Sequence, residues 1–345
     1  MQDVKNIIKS RITRLFFNIK SWDAQTFSIL NDYFNVYKYL SCYNKVMRTI
    51  HILNQYHVYI KSGLFNHFLH NIDQNYLIIK DENVDINCDN IISLPFSEQT
   101  KNLATVNQLY DLFIDHNVSR ETTTIVAVGG GVTLDVVGYA AATFKRGIRV
   151  IYVPTTLLSM VDASVGGKTG VNYQGLKNYI GCFNQPSCVI VDPVFLQTLD
   201  QRQFNNGMAE VIKYGCIKDK TLLNDIMQPN LDIEDIIERS VNIKKYFVEQ
   251  DEHDHHVRHA LNFGHTYGHA IESYYQFDKY LHGEAISIGM NMKCDDPLLK
   301  AVCEYYHLPT TLEDEIDLTN LMLKDKKNEG GIKLVKLKEL GEVDI

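Results

Sequence analysis

Between residues 51 and 200, short runs rich in β-branched and aromatic residues alternate with stretches of helical periodicity. Strands that alternate with helices are typical of a mostly parallel sheet whose faces are covered by helices. The runs are HVYI (57–60), YLIIK (76–80), TIVAV (124–128), VIYV (150–153) and CVIV (188–191). We therefore predict an α/β domain over residues 51–200.

The remainder of the chain has helical periodicity without such runs. The helical patterns lie at 207–217, 233–249, 260–275 and 284–293. They predict an all-α domain over residues 201–345. Residues 1–50 are predicted to form a helical extension, because apolar residues recur there every three or four positions with Lys and Arg between them. The sequence leaves open whether this extension lies on a membrane surface or packs against the body of the protein or a partner subunit.

Composition limits the class of function. The net charge of −8 argues against a nucleic-acid partner, and no apolar run reaches the about 18 residues that a membrane-spanning helix needs. The seven cysteines are scattered and include no C-x-x-C pair, which favours free thiols in a reducing cytoplasm. We therefore expect a cytoplasmic globular protein.

One glycine-rich turn is a candidate dinucleotide site. Gly129-Gly130-Gly131 follows a predicted strand and precedes the helical pattern of 135–144, so N–H groups at a helix N-terminus would face a pyrophosphate. Leu134 interrupts the G-x-G-x-x-G fingerprint, and a plain tight turn is the alternative. Asp81-Glu82-Asn83 ends another predicted strand, where such groups bind ribose hydroxyls or simply form a turn.

A second glycine-rich segment, SVGGKTG (164–170), lacks the first glycine of a P-loop. We interpret it as a flexible loop that presents the cation Lys168 next to Asp162. Lys101, Lys177 and Asn178 add donors suited to phosphate, so the segment predicts either a phosphate site or an ordinary structural loop.

The histidines are concentrated, with seven of 13 between positions 253 and 282. The motif H-T-Y-G-H places His265 and His269 one helical turn apart, a spacing that suits two metal ligands, and His282 begins another predicted helix. Together with an acidic residue from elsewhere, these histidines predict an open catalytic zinc site. Surface histidines near a helix end are the alternative, and the spacing does not settle which histidines coordinate.

Seven segments, taken in order, resemble the 3-dehydroquinate synthase family of the sugar-phosphate cyclase superfamily. They are GGGVTLDVVGYAAATFKRGIR (129–149), VPTTLLSMVDASVGGKTGVN (153–172), KNYIGCFNQP (177–186), GMAEVIKYG (207–215), LNFGHTYGHAIE (261–272), LHGEAISIGM (281–290) and DKKN (325–328). The resemblance implies an NAD-binding α/β domain, an all-α metal-binding domain and an active site in the cleft between them.

The resemblance also implies which residues form the site. The metal ligands would be Glu210, His265 and His282, while His269 would serve substrate binding and proton transfer instead of metal binding. The NAD contacts would be Asp81, Asn83, Glu98, Lys101, Gly130, Gly131, Val132, Asp135, Thr155, Thr156, Lys168, Lys177, Phe195 and Thr198. The substrate contacts would be Asp162, Lys168, Asn178, Lys213, Lys244, Arg258, Asn262, His269, Lys326 or Lys327, and Arg146 from the partner of a homodimer.

The implied reaction converts 3-deoxy-D-arabino-heptulosonate 7-phosphate to 3-dehydroquinate and phosphate, a step of the shikimate pathway, with transient reduction of NAD and one zinc or cobalt ion. Another sugar-phosphate cyclase, a polyol dehydrogenase and a non-catalytic relative are the alternatives. Arg258, placed for a substrate carboxylate, argues against cyclases whose substrates lack one. Departures from the family pattern occur at Ser97, Leu134, Leu176 and Asp254. Leu134 would either crowd the cofactor phosphates or pack between helix and sheet.

Overall fold

A computed structural model describes residues 47–72, 75–324 and 334–344. All of them belong to one compact unit, Val46–Ile345. The predicted helical extension falls mostly outside the described residues. Its last residues correct the prediction, because 48–50 belong to a β-strand that continues to Ile52.

A seven-stranded sheet forms the first half of the described chain, in the order β1-β2-β9-β6-β5-β3-β4. Its strands are β1 (Arg48–Ile52), β2 (Tyr56–Ile60), β3 (Tyr76–Asp81), β4 (Ile91–Leu94), β5 (Thr124–Gly129), β6 (Arg149–Pro154) and β9 (Cys188–Val191). Only β1 and β2 pair antiparallel; the other neighbours are parallel. The strands read as continuous apolar runs because such a sheet is covered on both faces. The predicted α/β fold is confirmed.

Helices make up most of the described chain after residue 200. The helices are α1 (Leu64–Asn71), α2 (Leu103–Asp115), α3 (Gly131–Thr143), α4 (Gln201–Ile217), α5 (Lys220–Asp225), α6 (Ile233–Gln250), α7 (His265–Tyr274), α8 (His282–Asn291), α9 (Pro297–Tyr305) and α10 (Thr319–Lys324). Asn102, Asp200 and Asp232 begin α2, α4 and α6 by accepting hydrogen bonds from N–H groups of the first turn. Within the described ranges no helix is long and apolar enough to cross a membrane.

Two small antiparallel hairpins lie outside the main sheet. One joins β7 (Lys168–Tyr173) to β8 (Leu176–Phe183), and the other joins β10 (Lys336–Glu339) to β11 (Glu342–Asp344). The second hairpin corrects the prediction that strands end at residue 200. The division into two domains at residue 200 stays a prediction. One hydrophobic core cluster includes side chains from both sides of residue 200.

The carboxyl ends of β3, β5 and β6 meet at one edge of the sheet. Gly129 at the end of β5 is paired with Pro154 at the end of β6, and Asp81 ends β3. In an open α/β sheet this edge is where ligands bind. The fold therefore brings the glycine turn and the Asp81 turn to the same side of the molecule.

Candidate active site

Close packing of α7 and α8 brings two histidines together. A Cβ on Gly289 of α8 would collide with the backbone oxygen of Gly264, so only glycine allows this approach. His265 is the first residue of α7 and His282 is the first residue of α8. Their ring centroids lie 5.3 Å apart as a result.

Glu210 of α4 places a carboxylate beside these imidazoles. Its Oε1 lies 3.4 Å from Nε2 of His265 and 3.6 Å from Nε2 of His282. Oε1 is buried without a hydrogen-bond partner, whereas Oε2 forms an ion pair with Lys213. A buried carboxylate oxygen is costly unless a cation or donor satisfies it. The ligand atoms of Glu210, His265 and His282 lie within 4.8 Å of one another. The group therefore fits a divalent ion, with two nitrogen donors and one oxygen donor as in open catalytic zinc sites.

Charges around this group favour a cation. Burial raises the pKa of Glu210, but the Lys213 ammonium and His282 together lower it, so that the pKa lies below its usual range. Burial lowers the pKa of His282, yet the carboxylates of Glu272 and Glu210 raise it to about 9. A histidine that holds its proton so strongly marks excess negative charge, which a metal ion would equally neutralise.

A second group of possible metal ligands shares His282. Ligand atoms of His269, Glu272 and His282 also lie within 4.8 Å of one another. Our sequence reasoning missed Glu272, although its position three residues after His269 puts both on one helix face. The ring of His269 lies 5.4 Å from that of His265 and 6.0 Å from that of His282, so the three histidines form one cluster.

Asp162 organises two buried cations near Glu210. It lies in the short helical turn Ser159–Ala163, and its Oδ1 accepts hydrogen bonds from Lys244 Nζ at 2.7 Å and Tyr214 OH at 2.6 Å. Burial raises the pKa of Asp162, but the ammonium groups of Lys244 and Lys213 hold it well below its usual range. Lys213 and Lys244 are 1% and 5% exposed. Buried cations in this number suit an anionic ligand.

Arg258 adds a third buried cation, and its packing explains why a glycine lies at position 166. Its guanidinium donates to the carbonyl oxygens of Glu252 at 2.6 Å and Gly166 at 3.2 Å. Gly166 has φ +97°, and a side chain there would collide with the guanidinium. The prediction of a flexible loop around Lys168 is wrong in one respect, since Lys168 begins strand β7 and forms an ion pair with Asp254.

The glycine turn at the sheet edge packs closely and leads into a helix without a side-chain cap. A Cβ on Gly130 would lie 3.3 Å from Thr156 Cγ2, and helix α3 begins after Gly130 without a side-chain cap. The first N–H groups of a helix need partners, and phosphate oxygens are suited to that role. Thr155 donates its N–H to Gly129 at 3.0 Å, and Asn83 donates to Asp81 at 2.9 Å. These residues fit the diphosphate and ribose of a dinucleotide.

A charged network lies beside this turn. Lys101 donates to Asp135 at 2.5 Å, and Lys177 Nζ lies 3.9 Å from Glu98 Oε1. Burial raises the pKa of Asp135, which the Lys101 ammonium opposes. Asn172 of β7 ties the network together, because its side chain donates to Glu98 at 2.8 Å and its N–H donates to Lys101 O at 2.8 Å.

Leu134 packs in the core of the sheet domain. It is 1% exposed, and its N–H donates to Gly130 O at 3.1 Å within helix α3. Its φ is not among the positive values of the described residues. The packing alternative therefore accounts for Leu134, and no positive φ at this position calls for a glycine.

The remaining NAD-contact predictions fall on the same domain. Val132 is the second residue of α3 and is partly buried. Phe195 and Thr198 lie in the 3₁₀ helix Pro193–Thr198, where the Phe195 ring packs 5.4 Å from that of Phe65.

The remaining substrate-contact predictions are spread more widely. Asn178 of β8 donates its N–H to Asn172 Oδ1 at 2.9 Å, and Asn262 ends the 3₁₀ helix Val257–Asn262. Arg146 is exposed after α3 with φ +65°. Lys326 and Lys327 lie outside the described residues.

Comparison with known proteins identifies relatives along the same stretch of chain. The models for the 3-dehydroquinate synthase N-terminal and C-terminal regions match residues 91–206 and 207–328. A 3-dehydroquinate synthase of Prochlorococcus marinus (strain MIT 9215) is 44% identical over 273 residues, covering 72% of this chain and 75% of the relative. Another, from Clostridium botulinum (strain Alaska E43 / Type E3), is 40% identical over 328 residues, covering 83% of this chain and 93% of the relative.

Solved structures with the same fold include two cyclases. The 2-epi-5-epi-valiolone synthase of Streptomyces hygroscopicus subsp. jinggangensis 5008, with NAD⁺ and Zn²⁺ bound, is 26% identical with a TM-score of 0.73, covering 84% of this chain and 92% of that one. A 2-deoxy-scyllo-inosose synthase complexed with carbaglucose-6-phosphate, NAD⁺ and Co²⁺ is 24% identical with a TM-score of 0.73, covering 87% and 94%, and supports the fold alone. From the matched family models and these relatives, the chain belongs to the 3-dehydroquinate synthase family.

Proposed function

We propose that this protein is a 3-dehydroquinate synthase, which converts 3-deoxy-D-arabino-heptulosonate 7-phosphate to 3-dehydroquinate and phosphate with NAD and one divalent metal ion. Relatives that carry this name are 40–44% identical to the chain. The observation that carries the proposal is the candidate metal-ligand group Glu210, His265 and His282, together with three buried cations. A polyol dehydrogenase would not need so many cations.

Glu210, His265 and His282 would hold the metal ion, and Gly130, Gly131 and their neighbours would hold NAD. A divalent ion at this position would act as a Lewis acid on a substrate hydroxyl, while NAD would oxidise that carbon and later reduce it again. The net reaction therefore consumes no NAD.

The buried cations would bind and orient the substrate. Lys213, Lys244 and Arg258 are each at most 5% exposed, and ion pairing is stronger where water is excluded. Arg258 is suited to a planar carboxylate because its guanidinium presents paired donors. The lysines are suited to phosphate oxygens. Asp162 would keep Lys244 fixed between turnovers through the hydrogen bond described above.

Phosphate elimination requires loss of one proton and cleavage of one C–O bond. After oxidation the substrate carries a ketone that acidifies the neighbouring C–H, and the electron pair of that bond forms a C=C bond as phosphate leaves. The departing phosphate is a suitable acceptor for this proton. His269, in the cluster of three histidines, is our candidate for the other proton transfers of the cycle.

The proposal includes a homodimer in which Arg146 reaches the partner's active site. Exposure of Arg146 and the left-handed backbone of Lys145 and Arg146 support it, because such strain is retained where a side chain must be aimed. A lone protomer would then lack one phosphate contact.

The test is phosphate release from the heptulosonate phosphate by the full chain supplied with NAD. We expect release that a chelator abolishes and that Zn²⁺ or Co²⁺ restores. Glu210→Gln should lose this activity. Glu234→Gln should keep it, because Glu234 lies at the start of helix α6 and accepts its hydrogen bond from the backbone N–H of Ser62. Absence of release from protein that has bound both metal and NAD would contradict the proposal.

A further inference from the structure

Glu272 is a buried carboxylate whose two oxygens face two different parts of the active site. The residue is 2% exposed. Its Oε2 lies 3.3 Å from Nδ1 of His282, and its Oε1 accepts a hydrogen bond from Lys177 Nζ at 2.8 Å. Buried charges persist when they are paired in this way.

The contact with His282 fixes which nitrogen of that imidazole carries the proton. An ionised carboxylate only accepts hydrogen bonds, so Nδ1 must be the protonated nitrogen. In the neutral ring Nε2 then holds the lone pair, and Nε2 is the atom that faces Glu210. A carboxylate in this position typically orients a metal-binding histidine and makes it a better ligand.

The contact with Lys177 reaches a second structural element. Lys177 belongs to strand β8 of the hairpin, whereas Glu272 belongs to helix α7. The ammonium also lies 3.9 Å from Glu98 and 4.3 Å from the centre of the Phe277 ring. The Lys177–Glu272 ion pair therefore joins the hairpin of the sheet domain to the helix that carries His265.

We propose that Glu272 is a positioning residue that couples metal binding to NAD binding, an inference that rests on the proposed function. When NAD also pairs with the Lys177 ammonium, the ammonium neutralises less of the negative charge of Glu272. Glu272 then attracts the Nδ1 proton of His282 more strongly. Nε2 of His282 then becomes a stronger metal ligand. Binding free energies are linked, so the metal must tighten NAD binding by the same factor.

The test measures Zn²⁺ affinity by competition with a chelator of known affinity, with and without saturating NAD. In the wild type NAD should tighten Zn²⁺ binding. Glu272→Gln should weaken Zn²⁺ binding by about 10–100-fold. The Zn²⁺ dissociation constants measured with and without NAD should also become nearly equal in this variant. Glu272→Asp, which retains the charge on a shorter side chain, should recover part of the affinity.

Glu234→Gln is the matched control. The Glu234 side chain is also mostly buried, at 16% exposed, and it lies 3.7 Å from Lys61. This variant should keep the wild-type Zn²⁺ affinity and coupling, even where its thermal stability falls.

Two results would overturn the inference. One is wild-type Zn²⁺ affinity and coupling in Glu272→Gln, with a loss of thermal stability alone. The other is two Zn²⁺ ions per wild-type chain, one of them lost in Glu272→Gln, because Glu272 would then be a direct ligand. The binding assay needs no turnover, so a wild type that shows the coupling but releases no phosphate would contradict the proposed function alone. A wild type that binds no Zn²⁺ would contradict both.

Discussion

Truncation of Leu134 should reduce stability and leave NAD affinity unchanged. The side chain is 1% exposed in the core between helix α3 and the sheet, so Leu134→Ala removes buried methyl groups and leaves a cavity. We expect a loss of about 2–5 kcal/mol in the free energy of unfolding. Leu134→Gly should lose about 1 kcal/mol more, because glycine is a poor helix former. Urea unfolding measures both losses, and isothermal titration measures the dissociation constant of NAD.

The opposite outcome for Leu134 is equally definite. If the leucine crowded the cofactor phosphates, the glycine variant would bind NAD about tenfold more tightly, a gain of about 1.4 kcal/mol. Tighter NAD binding without a large loss of stability would therefore refute the packing argument. Leu109→Ala is the control, because Leu109 of α2 is equally buried in the same core cluster and lies in a different helix.

Three further predictions concern the site. His265→Ala should lose the metal ion, whereas His269→Ala should keep near-stoichiometric metal and lose turnover. Metal loss from both variants would instead indicate that both histidines of the H-x-x-x-H motif are metal ligands. Inactive Arg146→Ala and Lys168→Ala chains should recover part of the activity when mixed, because one site of a hybrid dimer lacks neither residue; no recovery after verified subunit exchange would remove the shared site. The depressed pKa of Asp162 stabilises the fold above the unfolded pKa of about 3.9, and this contribution is lost as pH falls through the folded pKa. The stability difference between wild type and Asp162→Asn should therefore shrink below about pH 4 in urea unfolding, and a constant difference would contradict this.

The sheet was more predictable from the sequence than its edges and hairpins. The five predicted strands are buried, so their apolar runs stand out from the rest of the chain. Strand β8 alternates between exposed and partly exposed residues, and β10 is also mostly exposed. Their pairing stabilises them without an apolar signal, which is why periodicity missed both hairpins.

The candidate metal-ligand group of Glu210, His265 and His282 was harder to predict, because its members come from three helices. Spacing pointed to His265 and His269, which do share a helix face. Only the packing of α8 and α4 brings His282 and Glu210 to the same place. The contact between Glu272 and Lys177 joins residues 95 positions apart, and no local pattern carries that information.

The central claim is tested most directly by counting phosphate released per NAD. The full chain with bound metal, and with NAD at the same concentration as the enzyme, is mixed with excess heptulosonate phosphate. We expect many phosphates per NAD with no net accumulation of NADH, because the cofactor is reduced and reoxidised within each turnover. Release that stops at one phosphate per NAD, or NADH that accumulates in step with product, would contradict the account.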